Sequence, residues 1–274
     1  MKFSFYIFFA FCFLTIKTQA QAKWNCGVNG AANVVAVFDG ATQTLTISGK
    51  GKMGDGSPWG GLREAIKIVK INQGVTTIAE KAFGGSWLDK QFYLNLETVF
   101  ISNTITEIGS FAFGGATGLR KIDIPNSVVK IENNAFSESG LESISLPYSI
   151  KYIGSSAFSD CKSLKTANLN KTQISNIDAL LYGCEQLEDV YLPKKVVDIG
   201  WRTFYKCSLL KSITCYNSTP PNIEINAFTE FMLGNGERLD ISKITLYAPE
   251  ASITVYKYSN VWKEFGAIAA IPAQ

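Results

Sequence analysis

Three cysteines recur at a fixed interval, Cys161, Cys184 and Cys207, each 23 residues after the last. Regularly spaced thiols raise two chemistries, metal binding and disulfide formation. Tetrahedral zinc needs ligands that converge on one point, usually supplied by Cys-x-x-Cys pairs. A strict interval instead puts the three thiols in equivalent places of a repeated structure. If the copies stack at the strand spacing of ~4.8 Å, the Cα atoms fall within disulfide range, but parallel side chains do not face one another. The same slot in earlier copies holds Ser86, Ala116 and Ser139, so the requirement is small size. Buried, free thiols are expected, with no metal and no cofactor.

Catalysis is constrained by composition. The 274 residues contain no histidine, which removes Ser-His-Asp and Cys-His nucleophile activation and the HExxH zinc proteases. A carboxylate pair could still hydrolyse a glycosidic bond. Asp123 and Asp189 are the acids on outward strand positions, but they lie three copies apart, roughly 14 Å at strand spacing. Such pairs need about 5–9.5 Å, so only loop acids keep that route open. The glycine-rich "GKGKMGDG" lacks the Gly-Lys-Ser/Thr ending and the helix of a phosphate loop, and reads as a hairpin. The formal net charge of +3 is scattered along the chain, without the clustered basic face that nucleic acid requires. A non-catalytic protein is expected.

The elements that position these residues come from the repeat. Aligned copies carry Ala82-Phe83, Ala112-Phe113, Ala135-Phe136, Ala157-Phe158, Leu180-Leu181, Thr203-Phe204 and Ala227-Phe228. Ahead of them stand alternating apolar pairs such as Val69/Ile71, Val99/Ile101, Ile122/Ile124, Ile144/Leu146 and Val190/Leu192. Alternation at period two marks a half-buried strand, and Pro125, Pro147 and Pro193 each close one. A unit this short cannot bury its apolar face alone, whereas stacked units bury one another in a continuous column. About seven coils are expected.

"LRKIDIPNSVVKIENNAF" and "LEDVYLPKKVVDIGWRTFYKCSLL" resemble the BspA-type leucine-rich repeats of secreted and surface proteins common in host-associated bacteria. "TLTISGKGKM" with "SPW" resembles the strand pair that often precedes the first repeat, and "ITLYAPEASITVYKYSNVWKEF" resembles a closing cap. The fifth copy departs from the pattern at Asn170 and Leu180-Leu181, and "CYNSTPPNIEINAF" is irregular. The resemblance implies a mainly β, right-handed leucine-rich-repeat solenoid, capped at both ends. It also implies an extracellular interaction or adhesion module, with a protein or cell-surface ligand as partner.

The expected organisation is a cleaved signal peptide over 1–22, an N-terminal β cap over 23–66, repeats over 67–237 and a C-terminal cap over 238–274. Lys2, the apolar run "FSFYIFFAFCFLTI" and the small residues of "KTQAQAK" fit export with cleavage between Ala20 and Lys23. The run is shorter than the ~20 residues a membrane span needs, and no later stretch is apolar enough. A secreted monomer is expected.

Candidate binding residues are those that stacking does not require. The outward strand positions form a ladder of Lys70, Phe100, Asp123, Ser145, Asn168, Tyr191, Thr214 and Thr245. Phe100 and Tyr191 stand out there, because exposed aromatics often anchor partners. The first-to-second spacing is longer by seven residues, and the insertion "GGSWLDKQFYLN" brings Trp87, Phe92 and Tyr93. These could present a stacking platform for carbohydrate, or the loop could fold back to cover the sheet edge.

Overall fold

The computed structural model describes residues 21–85, 92–229 and 239–273. It is a mainly β solenoid of about nine turns, about 23 residues apart, with little helix. That exceeds the seven coils expected, because segments read as caps also extend the stack. Thr44–Gly49 runs parallel to Ile68–Ile71, and Thr245–Ala248 and Ala267–Ala270 add two more parallel strands beyond Ser212–Thr214. Ala22–Asn25 and Val34–Asp39 then close the N-terminal end as antiparallel strands.

Each turn buries its Ala-Phe pair or the residues that replace it, and most bury their strand pair as well. The phenylalanines form a column: Phe83 and Phe113 stack at 5.6 Å, Phe113 and Phe136 at 5.3 Å, and Phe136 and Phe158 at 5.2 Å. Leu181 interrupts the rings in the fifth copy, and Phe204 and Phe228 resume them at 5.4 Å. Trp59 closes one end, stacked on Phe83 at 5.5 Å with its indole N–H donating to the Ala82 carbonyl. At the other end Phe265 meets Phe228 edge-on, and Trp262 stacks on Phe265. Both tryptophans are buried with their N–H groups satisfied, as large amphipathic rings in a core require.

The rungs are tied by an unusual backbone. The residue before each of the first six Ala-Phe positions is left-handed, with φ between 48° and 58° at Lys81, Phe111, Asn134, Ser156, Ala179 and Arg202. A second left-handed residue follows two positions after the phenylalanine or leucine, at Gly115, Glu138, Asp160, Gly183 and Lys206. Left-handed backbone costs a non-glycine residue about 1–2 kcal/mol. It is held here by the next turn. The N–H of Asn134 donates to Ser155, that of Glu138 to Ser159 and that of Asp160 to Tyr182. The twist aims these donors along the stack axis, where they would otherwise lack partners.

"GKGKMGDG" is not a hairpin. Gly51–Lys52 pairs parallel with Val75–Ile78 on the second side of the coil, so the segment takes the chain round a corner. Gly49 and Gly51 have φ of 129° and 106°, and a Cβ on Gly49 would meet the Asn33 carbonyl oxygen at 2.0 Å.

The first sheet parts at the third repeat. Thr98–Ile101 ends one five-stranded sheet and Ser143–Ser145 begins a six-stranded one. Between them, the N–H groups of residues 121–124 make no backbone hydrogen bond. Ile101, Ile122 and Ile124, fully buried in the ideal pattern, are only partly so. The second side stays continuous there, through Glu107–Ile108, Lys130–Ile131 and Tyr152–Ile153. Exchange follows local opening, so amide hydrogens of Ile122 and Ile124 should exchange well ahead of those of Ile144 and Val190. Peptide-resolved deuterium uptake checks this, and equal protection would show a continuous sheet.

Candidate functional site

Strand register fixes the outward ladder. Thr46, Lys70 and Phe100 line up on one part of the face. Ser145, Asn168, Tyr191, Thr214, Tyr247 and Ala269 line up on the other. Thr245 therefore does not follow Thr214. It lies in the neighbouring column with Asp189 and Ser212, and Tyr247 takes the position expected for it. The signal was in the alternation of buried Ile244, Leu246 and Ala248, which leaves both 245 and 247 outward.

Of the aromatics singled out, Phe100 is 55% exposed, in the middle of its strand. Tyr191 is half-buried at the end of Asp189–Tyr191. Tyr93 is a correction: only 1% of it is exposed. Its ring packs edge-on against Phe83 at 6.4 Å and its hydroxyl hydrogen-bonds Ser57 at 2.7 Å. Desolvation pushes its pKa up to about 12. Phe92 is half-buried over Gly115, where a Cβ would strike its ring at 1.9 Å. This end of the insertion folds back onto the stack, and Gly115 is the space that admits it. Trp87 lies outside the described residues.

The structure gathers Tyr191 with two tyrosines that repeat spacing does not single out. Tyr191, Tyr216 and Tyr247 line a groove of about 480 Å³ together with Asp189 and Ser212, bounded by the C-terminal Ile271 and Pro272. Thr214 lies between Tyr191 and Tyr247 in the register and is only 4% exposed. The Ser212 hydroxyl donates to Asp189 Oδ1 at 2.6 Å. Asn170 Nδ2 donates to the Tyr216 hydroxyl at 3.3 Å, and the Lys194 ammonium lies 5.4 Å from the centre of that ring.

A larger cleft of about 950 Å³ lies at the other end, with Asp55, Glu80, Glu107 and Glu132 in its lining. Lys130 ion-pairs with both Glu107 and Glu132, so that acidity is partly compensated. Among the described residues no cluster of three or more Cys, Asp or Glu could hold a metal ion. Asp123 is exposed and paired with Lys121, three turns away from Asp189.

The thiols are buried as expected. Cys161, Cys184 and Cys207 point their Sγ atoms at the carbonyls of Phe136, Phe158 and Leu181, at 3.1, 3.1 and 3.2 Å, and none is bridged. Each reaches back to the previous turn, so the ladder ties neighbouring coils. Desolvation raises the Cys207 pKa to about 12 and holds Cys184 well above its ordinary value. Cys184 and Cys207 are therefore protonated thiols, not nucleophiles.

The family described as "BspA type Leucine rich repeat region" matches residues 89–181 and 178–252, with six copies. No curated protein matches the chain. Among solved structures, a leucine-rich repeat protein from Bacteroides ovatus is 17% identical, with a TM-score of 0.52, covering 87% of this chain and 73% of that one. A leucine-rich repeat protein of T. pallidum is 22% identical, with a TM-score of 0.48, covering 68% and 84%. At 17% identity the likeness to the Bacteroides ovatus protein is one of fold.

Proposed function

This chain belongs to the BspA-type leucine-rich repeat family, and on that footing we propose a secreted or cell-surface, non-catalytic recognition protein. Its partner is a protein or other cell-surface ligand, and it works as a monomer. One observation carries the reading. The ladder face bears large aromatics, Phe100 and the tyrosines around Tyr191, that no stacking contact of the repeat demands. Extended faces of solenoids suit macromolecular partners, and a few aromatic anchors commonly dominate such interfaces. No described helix is long and apolar enough to cross a membrane, which is compatible with export.

Carbohydrate binding by the inserted loop loses support, since Tyr93 is in the core and Phe92 is packed on Gly115. Of the residues singled out, Phe100 and Tyr191 remain, both on the ladder face.

The test is affinity capture from host and bacterial surface extracts, using as bait the chain recovered from the medium of an exporting host. N-terminal sequencing of that bait should start between Gln21 and Lys23. Phe100→Ala and Tyr191→Ala should each weaken the captured complex by about 2 kcal/mol or more, with melting nearly unchanged. Ser145→Ala and Asn168→Ala should bind as wild type. Undiminished binding by both aromatic variants would move the binding surface off the ladder face.

A further inference from the structure

We propose that the tyrosine groove at the C-terminal end of the ladder face is a saccharide subsite for a short neutral glycan. This rests on the reading of the ladder face as the binding face, and it names the chemistry of one part of it.

The geometry supplies both halves of sugar recognition. Tyr191 and Tyr247 stand two strands apart in register, about 10 Å at strand spacing. Tyr216 lies two residues beyond Thr214 on the intervening turn and lines the same groove. Thr214 forms the narrow floor between the tyrosines, with only 4% of it exposed. Such rings offer flat apolar faces to the C–H side of a pyranose while keeping polar hydroxyls at their edge.

Beside them runs the polar column Asp189, Ser212 and Thr245, one step of two residues along the same strands. Asp189 Oδ1 accepts from Ser212. Its Oδ2 receives no hydrogen bond from a described residue, which leaves a charged acceptor beside the platform. Hydroxyl groups of a sugar supply the donors it lacks.

Size and charge narrow the class. The groove, at about 480 Å³, falls in the range of small-ligand sites, about 300–1,000 Å³. Lys211 is engaged with Glu188 at 2.6 Å and Lys194 sits over the Tyr216 ring, whereas Asp189 has no ion-pair partner among the described residues. A lining with one uncompensated carboxylate disfavours an anionic sugar.

Cellotetraose, maltotetraose and mannotetraose would be titrated separately against the purified chain by calorimetry up to millimolar concentration. At least one should bind wild type. Tyr191→Ala and Tyr247→Ala should each weaken it tenfold or more, and Lys151→Ala should leave it unchanged. Melting is recorded for each variant. Should an alanine variant not fold, Asp189→Asn, which keeps the shape and removes the charge, should also weaken binding several-fold. If none of the three binds wild type while Tyr191→Ala still weakens protein capture, the saccharide subsite is overturned and the ladder face keeps its role. Binding that survives both tyrosine substitutions also overturns it.

Discussion

Phe136→Ala should lower the unfolding free energy by about 3–5 kcal/mol, and by more than Phe158→Ala does. Phe136 lies between two rings, Phe113 at 5.3 Å and Phe158 at 5.2 Å with parallel planes. Phe158 has a ring on one side only, because the fifth repeat offers Leu181 in that place. Losing a second aromatic contact should add about 0.5–1.5 kcal/mol. In an array each turn is supported by its neighbours, so both flanking turns share the damage. Urea titration of the two variants and of the exposed control Lys151→Ala decides the order. A Phe136→Ala midpoint no lower than that of the control would place the ring outside the core. An inverted order would mean that local collapse around the site outweighs ring stacking.

Such a column was legible because its cause is periodic. The Ala-Phe pairs, the strand pairs and the small slot of Ser139, Cys161, Cys184 and Cys207 recur in the chain itself, and each is explained by burial against its copy in the next turn. Features with non-local causes were not legible. Lys81, Phe111, Ala179 and Arg202 have nothing in their side chains that asks for a left-handed backbone. They adopt it because their N–H groups bond carbonyls one turn away. Tyr93 lies in an insertion outside the repeat register, and only the pocket beside Phe83 and Ser57 turns it inward. The candidate site divides the same way. Tyr191 followed from strand alternation. Tyr216 lies inside the irregular "CYNSTPPNIEINAF" and Tyr247 beyond it, where counting forward from the repeats loses register and only strand pairing restores it.

Alkaline pH should expose the energetic role of the thiol ladder. An ordinary cysteine ionises near pH 9.0, whereas desolvation raises the pKa of Cys207 to about 12 in the folded chain. Above pH 9 the unfolded chain gives up this proton while the folded chain keeps it. The contribution is therefore whole below about pH 9 and is lost as pH rises toward 12. At pH 11 this one thiol should have removed about 2–3 kcal/mol. Lysines and tyrosines also titrate in this range, so a variant must isolate the thiol. Cys207→Ala suits the purpose, because Ala116 fills the equivalent slot in the turn that follows the insertion and is itself fully buried. The lost Sγ contact with the Leu181 carbonyl gives an offset that is the same at pH 7 and pH 11. What should change is the fall between those two pH values in urea unfolding, which should be smaller in Cys207→Ala by about 2–3 kcal/mol. An equal fall in both proteins would mean that Cys207 reaches solvent and ionises in the folded state, and the small slot would then not be the dry seam between turns that its geometry describes.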